Sequence, residues 1–276
     1  MPILPFVFVA CAPLGPASPA PSYAPADTLI DVAGYSLNVE VIRGDRPVAF
    51  VLESGGGAEL ASWASVPESI AARTGATVVT YDRAGFGGSE PGPADLTPEE
   101  QVEHLRAALD ALEIPVPRIV GGHSYGALMA LHHAARHPEE VAGVLLVDPM
   151  NPRFVEATGE YIHSTVPRIP DPQTDTERAL ARLIRTFDDF LRTVAAEEPA
   201  IAQPMAVITA NAWWGRDGVE DPEVEAAWRA SHEAIAAAAP NRWLIVAEGS
   251  RHDVPGMRPD VIVDAAARLL EETGGD

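Results

Sequence analysis

The stretch Arg118-Ile-Val-Gly-Gly-His-Ser-Tyr-Gly-Ala-Leu-Met-Ala-Leu-His-His-Ala-Ala-Arg136 decides how this chain is read. It opens on a short β-branched run, residues 118–120, that reads as a strand, and it closes on a helical stretch, 125–136. Between the two stands Gly122-His123-Ser124-Tyr125-Gly126. A serine at so sharp a strand-to-helix turn is held in a strained backbone conformation that projects its hydroxyl. The glycines two before and two after it are required because a side chain there would strike the neighbouring strand or helix. A plain tight turn would not need both. The helix after Ser124 adds backbone N–H donors and the positive end of its dipole. Ser124 is the candidate nucleophile.

A serine hydroxyl attacks poorly near neutrality without a base, and the base needs a carboxylate to orient it. His252 lies in Glu248-Gly-Ser-Arg-His252, after a predicted strand at 242–246 and before the last helix. That puts it at the carboxyl end of a strand, where it can reach the turn. Of the other histidines, His123 belongs to the turn, His163 falls in an irregular segment, and His104, His132, His133, His137 and His232 fall in predicted helices. His133 and His137 have the spacing of a metal pair, but no Glu completes a zinc-protease pattern. No metal is expected.

For the acid, Asp148 ends the apolar run 141–147 and gives the chain order Ser124, Asp148, His252. Asp217, beyond a predicted strand at 205–209, competes with it; Asp221 and Asp253 are further alternatives. Asp148-Pro149 also reads as a turn start. Two backbone donors must meet a developing oxyanion. Tyr125 N–H is one, and Gly56 N–H, from the run Glu53-Ser-Gly-Gly-Gly57, is the other. The three glycines are not a phosphate cradle, because that loop needs a lysine and the chain has none.

Outward from the turn, strands and helices alternate. Strands are predicted at 37–41, 48–52, 77–81, 118–120, 141–147, 205–209 and 242–246. Helices are predicted at 59–73, 98–112, 125–136, 222–238 and 259–270, with Thr97 capping the second and Pro98 at its first position. The pattern is that of an α/β, doubly wound, mostly parallel sheet. Alternation breaks at 150–204. A proline-bearing segment (Pro167, Pro170, Pro172) there precedes one amphipathic helix at 176–196, in which Leu180, Leu183, Ile184, Phe187 and Leu191 recur at helical spacing. The expectation is a core of 27–149 and 205–276, with 150–204 as a small helical cap above the carboxyl ends of the strands.

Residues 1–26 are of another kind. An apolar run ends at Ala10-Cys11, and Pro/Ala/Ser-rich sequence follows. A small residue before cysteine is similar to a bacterial lipoprotein box, though no basic residue precedes the run. The stretch reads either as the remnant of an export or lipid-anchoring signal through Cys11 or as a disordered leader on a cytoplasmic protein. The apolar run is too short to span a bilayer as a helix.

The formal charge is −21, from 19 basic and 40 acidic side chains, and the isoelectric point is near 4.6. That balance argues against nucleic acid, whose phosphates need a basic surface. Every basic residue is arginine, so a lysine nucleophile or Schiff base is excluded. One cysteine cannot form an intrachain disulfide or a four-cysteine zinc site.

Four segments together resemble the α/β-hydrolase superfamily: Glu53-Ser-Gly-Gly-Gly57, Tyr81-Asp-Arg-Ala-Gly-Phe-Gly-Gly-Ser89, Gly122-His-Ser-Tyr-Gly126 and Glu248-Gly-Ser-Arg-His252. The resemblance implies an eight-stranded sheet, a cap after the sixth strand, Ser124 as nucleophile, His252 as base, and an acid after the sixth or seventh strand. It also implies that Asp82 and Arg83 only shape a turn. Arg251 stands where many relatives have glycine, and the usual Gly-x-x-Asp turn after the seventh strand is missing, which favours Asp148. Relatives with an aspartate nucleophile, dehalogenases and epoxide hydrolases, are disfavoured by Ser124. The expected activity is cofactor-free hydrolysis of a small, partly apolar ester-like substrate through an acyl-enzyme, in a pocket lined by Trp213 and Trp214. The rivals are carbon–carbon or lactone hydrolysis, acyl transfer, or a non-catalytic binding protein on the same fold.

Overall fold

The computed structural model describes residues 26–165, 168–212 and 221–274. The leader with Cys11, and with it Trp213, Trp214 and Asp217, lies outside the described residues. Eight strands form one sheet: β1 (Ala26–Val32), β2 (Tyr35–Ile42), β3 (Ala49–Glu53), β4 (Thr77–Tyr81), β5 (Arg118–His123), β6 (Val141–Val147), β7 (Met205–Ala210) and β8 (Arg242–Ala247). Their order is β1-β2-β4-β3-β5-β6-β7-β8. β2 runs antiparallel to both β1 and β4, and every other pairing is parallel. β3, β4 and β7 are buried along their whole length, which is why they show no alternation of apolar and charged residues.

Among the described residues eight helices surround the sheet: α1 (Val66–Thr74), α2 (Pro98–Ala111), α3 (Gly126–Arg136), α4 (Pro152–Thr165), α5 (Asp175–Glu197), α6 (Pro222–Ala237), α7 (Val254–Met257) and α8 (Pro259–Glu272). α1 and α8 close one face around Trp63, Phe50, Ile119 and Leu269. α3, α5 and α6 contribute to the core on the other face, through Leu128, Phe190 and Ile235 against Val144 and Val207. α2 begins where Thr97-Pro98 predicts. Thr97 Oγ1 accepts from Glu100 N–H at 3.2 Å, and the Glu100 carboxylate accepts from Thr97 N–H at 2.9 Å. Thr174 and Glu177 repeat the same box at the head of α5.

Three elements depart from the sequence reading. The helix predicted at 59–73 is two pieces, a single turn at Leu60–Trp63 and then α1, separated by Ala64 at φ +50°. β1 is absent from the predicted strands. It is an edge strand, with Asp27 and Asp31 in its run and Leu29 64% exposed, so its burial signal is weak. Between β6 and β7 there are two helices, not one. α4 follows an Asn-Pro start, with Asn151 Oδ1 accepting from Phe154 N–H at 3.1 Å, and it kinks at Thr158 (φ −133°, ψ 23°). Among the described residues no helix is long and apolar enough to cross a membrane.

Candidate active site

β5 enters α3 through Ser124, whose φ is +52°. A side chain in that left-handed region is strained by about 1–3 kcal/mol and persists only where its surroundings hold it. Here Ser124 N–H donates to Val147 O at 3.1 Å, and Ser124 O accepts from Ala127 N–H (3.0 Å) and Met150 N–H (3.1 Å). A methyl group on Gly122 would lie 2.2 Å from Gly126 O, and one on Gly126 would lie 2.2 Å from Glu53 O. Both glycines are demanded by backbone atoms that cannot yield. Ser124 itself stays half-buried.

Asp148 sits at the end of β6, fully buried and also at positive φ, +42°. Its Oδ2 lies 2.7 Å from His252 Nδ1. Its Oδ1 accepts from Ala210 N–H at 2.9 Å and from the Trp228 indole N–H at 2.9 Å, with His232 Nδ1 3.8 Å away. Burial pushes the carboxyl pKa up, but the His252 hydrogen bond, the neighbouring histidines and the Ala210 N–H outweigh it and leave it below the ordinary value. An ionised Asp148 fixes the Nδ1–H tautomer of His252, so Nε2 is the ring nitrogen that can take a proton.

His252 is held against the turn. His123 Nε2 lies 2.8 Å from His252 O, and the two rings are 4.7 Å apart. Burial and the nearby His252 push His123 down to about 4, so it is neutral and donates its Nε2–H. Of the alternative acids, two lie among the described residues. Asp221 caps α6 by accepting from Glu223 and Val224 N–H, each at 3.2 Å, and Asp253 caps α7 by accepting from Gly256 N–H at 3.1 Å.

The glycine loop crosses the turn. A methyl group on Gly55 would lie 3.7 Å from Ser124 Cβ, and one on Gly56 would lie 3.4 Å from Tyr125 Cβ. Gly56 is exposed, and neither its N–H nor that of Tyr125 has an acceptor among the described residues. α5 lies over this loop. Leu183 is 3.9 Å from the Gly56 methyl position, Leu180 is 3.8 Å from that of Gly57, and Phe187 stacks on Tyr125 at 6.3 Å. Buried Arg182 ties α5 down by donating to Ala84 O (2.7 Å), Pro91 O (3.1 Å) and Pro93 O (3.2 Å).

Trp228 and His232 were not singled out as part of the site, although both are buried one helical turn apart on α6 against Asp148. The signal was present as polar or part-polar side chains on the apolar stripe of α6. His232 Nε2 donates to Pro149 O at 2.9 Å, and burial lowers its pKa. His133 and His137 stand edge to face, their ring centres 5.7 Å apart; His133 is buried, while His137 bonds the Glu103 carboxylate at 2.7 Å. His137, Glu139 and Glu140 do bring ligand atoms within 4.8 Å of one another. That cluster precedes β6, at the opposite end of the strands from Ser124, and Glu140 is already paired with Arg106 and Arg118.

A strained serine between β5 and α3, with an aspartate after β6 and a histidine after β8, defines an α/β-hydrolase architecture. Residues 48–213 match the alpha/beta hydrolase fold family, and the chain belongs to that family. It is 24% identical over 235 residues to the uncharacterized protein YqjL of Bacillus subtilis, covering 84% of this chain and 87% of that one. It is 36% identical over 123 residues to the 2-hydroxymuconate semialdehyde hydrolase of Pseudomonas sp. (strain CF600), covering 43% of this chain and 41% of that protein. Among solved structures, the enol-lactonase from Burkholderia xenovorans LB400 superposes with a TM-score of 0.65 at 22% identity, over 88% of this chain and all of that one. Haloalkane dehalogenase DbeA from Bradyrhizobium elkani gives 0.68 at 16% identity, over 91% and 99%. The protein is a hydrolase.

Proposed function

We propose that this hydrolase cleaves carboxylic esters with a small, partly apolar acyl or alcohol group, through a Ser124–His252–Asp148 triad and an acyl-enzyme. The observation that carries the reading is the 2.7 Å hydrogen bond from His252 to buried Asp148, beside a serine at positive φ. Ser124 Oγ attacks the carbonyl carbon as His252 Nε2 takes its proton, and Asp148 stabilises the imidazolium. The N–H groups of Gly56 and Tyr125 receive the oxyanion. His252 returns the proton to the leaving alcohol, and water then releases the acyl group by the same route. The helices of 150–204 act as a cap, and Leu180, Leu183 and Phe187 give the site an apolar ceiling that suits an uncharged substrate.

Fluorophosphonate labelling tests the reading. Wild-type protein is labelled and turns over a short-chain ester, and Ser124→Ala does neither. Asp148→Asn loses about 10⁴-fold in kcat while Asp217→Asn stays near wild type. An unlabelled wild type, or a severe loss confined to Asp217→Asn, sinks it. The likeness to a protein named for 2-hydroxymuconate semialdehyde hydrolysis supports a second reading, the same nucleophile acting on a lactone or a carbon–carbon bond. A substrate panel spanning these classes separates the two.

A further inference from the structure

The turn segment after β4 does more than turn. Asp82 Oδ1 accepts from Leu60 N–H at 2.7 Å, and Oδ2 accepts from Gly88 N–H and from Asn38 Nδ2 at 2.9 Å each. It thereby holds the far end of the loop that carries Gly55 to Gly57. The next residue holds the near end. Arg83 Nη1 donates to Ser54 O at 2.5 Å, and Nη2 donates to Gly55 O. Arg83 is buried, yet its carboxylate neighbour, Glu53, is 3.9 Å away, at the outer limit of an ion pair. Glu53 is itself occupied by Tyr81, whose hydroxyl lies 2.8 Å from both of its oxygens.

Burying a guanidinium costs several kcal/mol unless its donors are used. Here two of them go to consecutive main-chain carbonyls, a use that a structural ion pair does not require. The consequence follows from peptide planarity. In a trans peptide the N–H points opposite to the C=O, so fixing Gly55 O on Arg83 fixes Gly56 N–H on the side away from the guanidinium. That N–H is the exposed, unmatched donor beside Tyr125. The guanidinium carbon also lies 5.4 Å from the centre of the Tyr125 ring.

We propose that Arg83 is the positioning residue of the oxyanion site: its grip on Ser54 O and Gly55 O presets the Gly56 N–H for the transition state. This rests on Ser124 being the nucleophile. Lysine keeps the charge but offers a point donor, not a fork that can take two carbonyls at once.

The test compares wild type, Arg83→Lys, and the charge-neutral double variant Glu53→Gln/Arg83→Gln, with turnover normalised to titrated active sites. Arg83→Lys is expected to lose on the order of 10²-fold in kcat with KM within about 3-fold, as for a lost oxyanion donor. Its affinity for a trifluoromethyl ketone should fall by a similar factor. Kcat per active site within about 3-fold of wild type in either folded variant overturns the proposal. So does failure of both variants to fold, because the arginine then serves the fold. A wild type unlabelled at Ser124 refutes the triad instead. The clamp is then judged from the Gly56 amide resonance, which shifts in Arg83→Lys if the clamp exists and stays in place if it does not.

Discussion

The Nε2–H of His123 donates to the backbone carbonyl of His252 across 2.8 Å, joining the residue before the candidate nucleophile to the loop that carries the candidate base. The loop is otherwise held at Ser250, whose carbonyl accepts from Ala212 N–H at 2.9 Å, and at Arg258, which donates to Glu248 O at 2.7 Å. His123→Phe keeps a flat ring but removes the donor. We expect a loss of about 1 kcal/mol in stability from the hydrogen bond, and a fall of about 10-fold in kcat as the imidazole loses its register. Urea melts and ester turnover measured together decide it. Unchanged kcat would show that the loop is placed without His123.

Trp228 carries a second expectation. Its indole N–H is one of the bonds that keep a buried, ionised Asp148 satisfied. Trp228→Phe preserves most of the ring volume and deletes that donor, so a loss of about 1.5–3 kcal/mol is expected, the range for a hydrogen bond to a charged group. Because the folded pKa of Asp148 is depressed, its contribution to stability is present above the unfolded value near 3.8 and lost as the pH falls below it. The deficit of Trp228→Phe should therefore shrink toward pH 3. A deficit that is constant from pH 7 to pH 3 would point to packing alone.

How much of this was legible beforehand follows the range of the interactions. The sharp turn at Ser124 with its two glycines and the Thr97-Pro98 start of α2 are local patterns, and each reappears in three dimensions. Trp228 and His232 escape because their role depends on α6 packing over β7 and β8 so that it reaches Asp148 beyond β6, which no spacing within α6 records. The break at Ala64 is likewise tertiary, placing Trp63 so that it is buried 6.4 Å from the His123 ring. Arg83 was assigned a turn, and only the fold reveals that the carbonyls it grips belong to residues 54 and 55.

Glu53 gives a prediction with the opposite sign to Asp148. Burial pushes its carboxyl up to about 7 from 4.5, against the pull of Arg83 and the Tyr81 hydroxyl. The folded state binds that proton more tightly than the unfolded chain, so Glu53 costs stability as the pH rises from 4.5 through about 7, by at most about 3 kcal/mol. Glu53→Gln removes the titration. Relative to wild type, the variant should gain in Tm between pH 5 and pH 8, whatever its offset at either pH. An offset that is equal at both pH values would mean that Glu53 ionises as freely in the fold as out of it.

The two glycines beside Ser124 allow the sharpest contrast with an unconstrained one. At Gly126 an added methyl group would lie 2.2 Å from Glu53 O and 2.6 Å from Ser54 O, both main-chain atoms of the loop that crosses the turn. The clash cannot be relieved by rotating a side chain, so Gly126→Ala must push that loop off the turn. We expect a loss of more than about 3 kcal/mol, or no folded protein at all. Gly34, between β1 and β2, is the converse case: its φ is positive (+86°), which that of Gly126 is not, but nothing lies within 4 Å of its methyl position. Gly34→Ala therefore suffers only the backbone strain, about 1 kcal/mol. Thermal melts of the pair, with fluorophosphonate labelling of whatever folds, separate crowding from conformation. Equal losses at the two positions would show that the crowding at Gly126 is no worse than backbone strain alone.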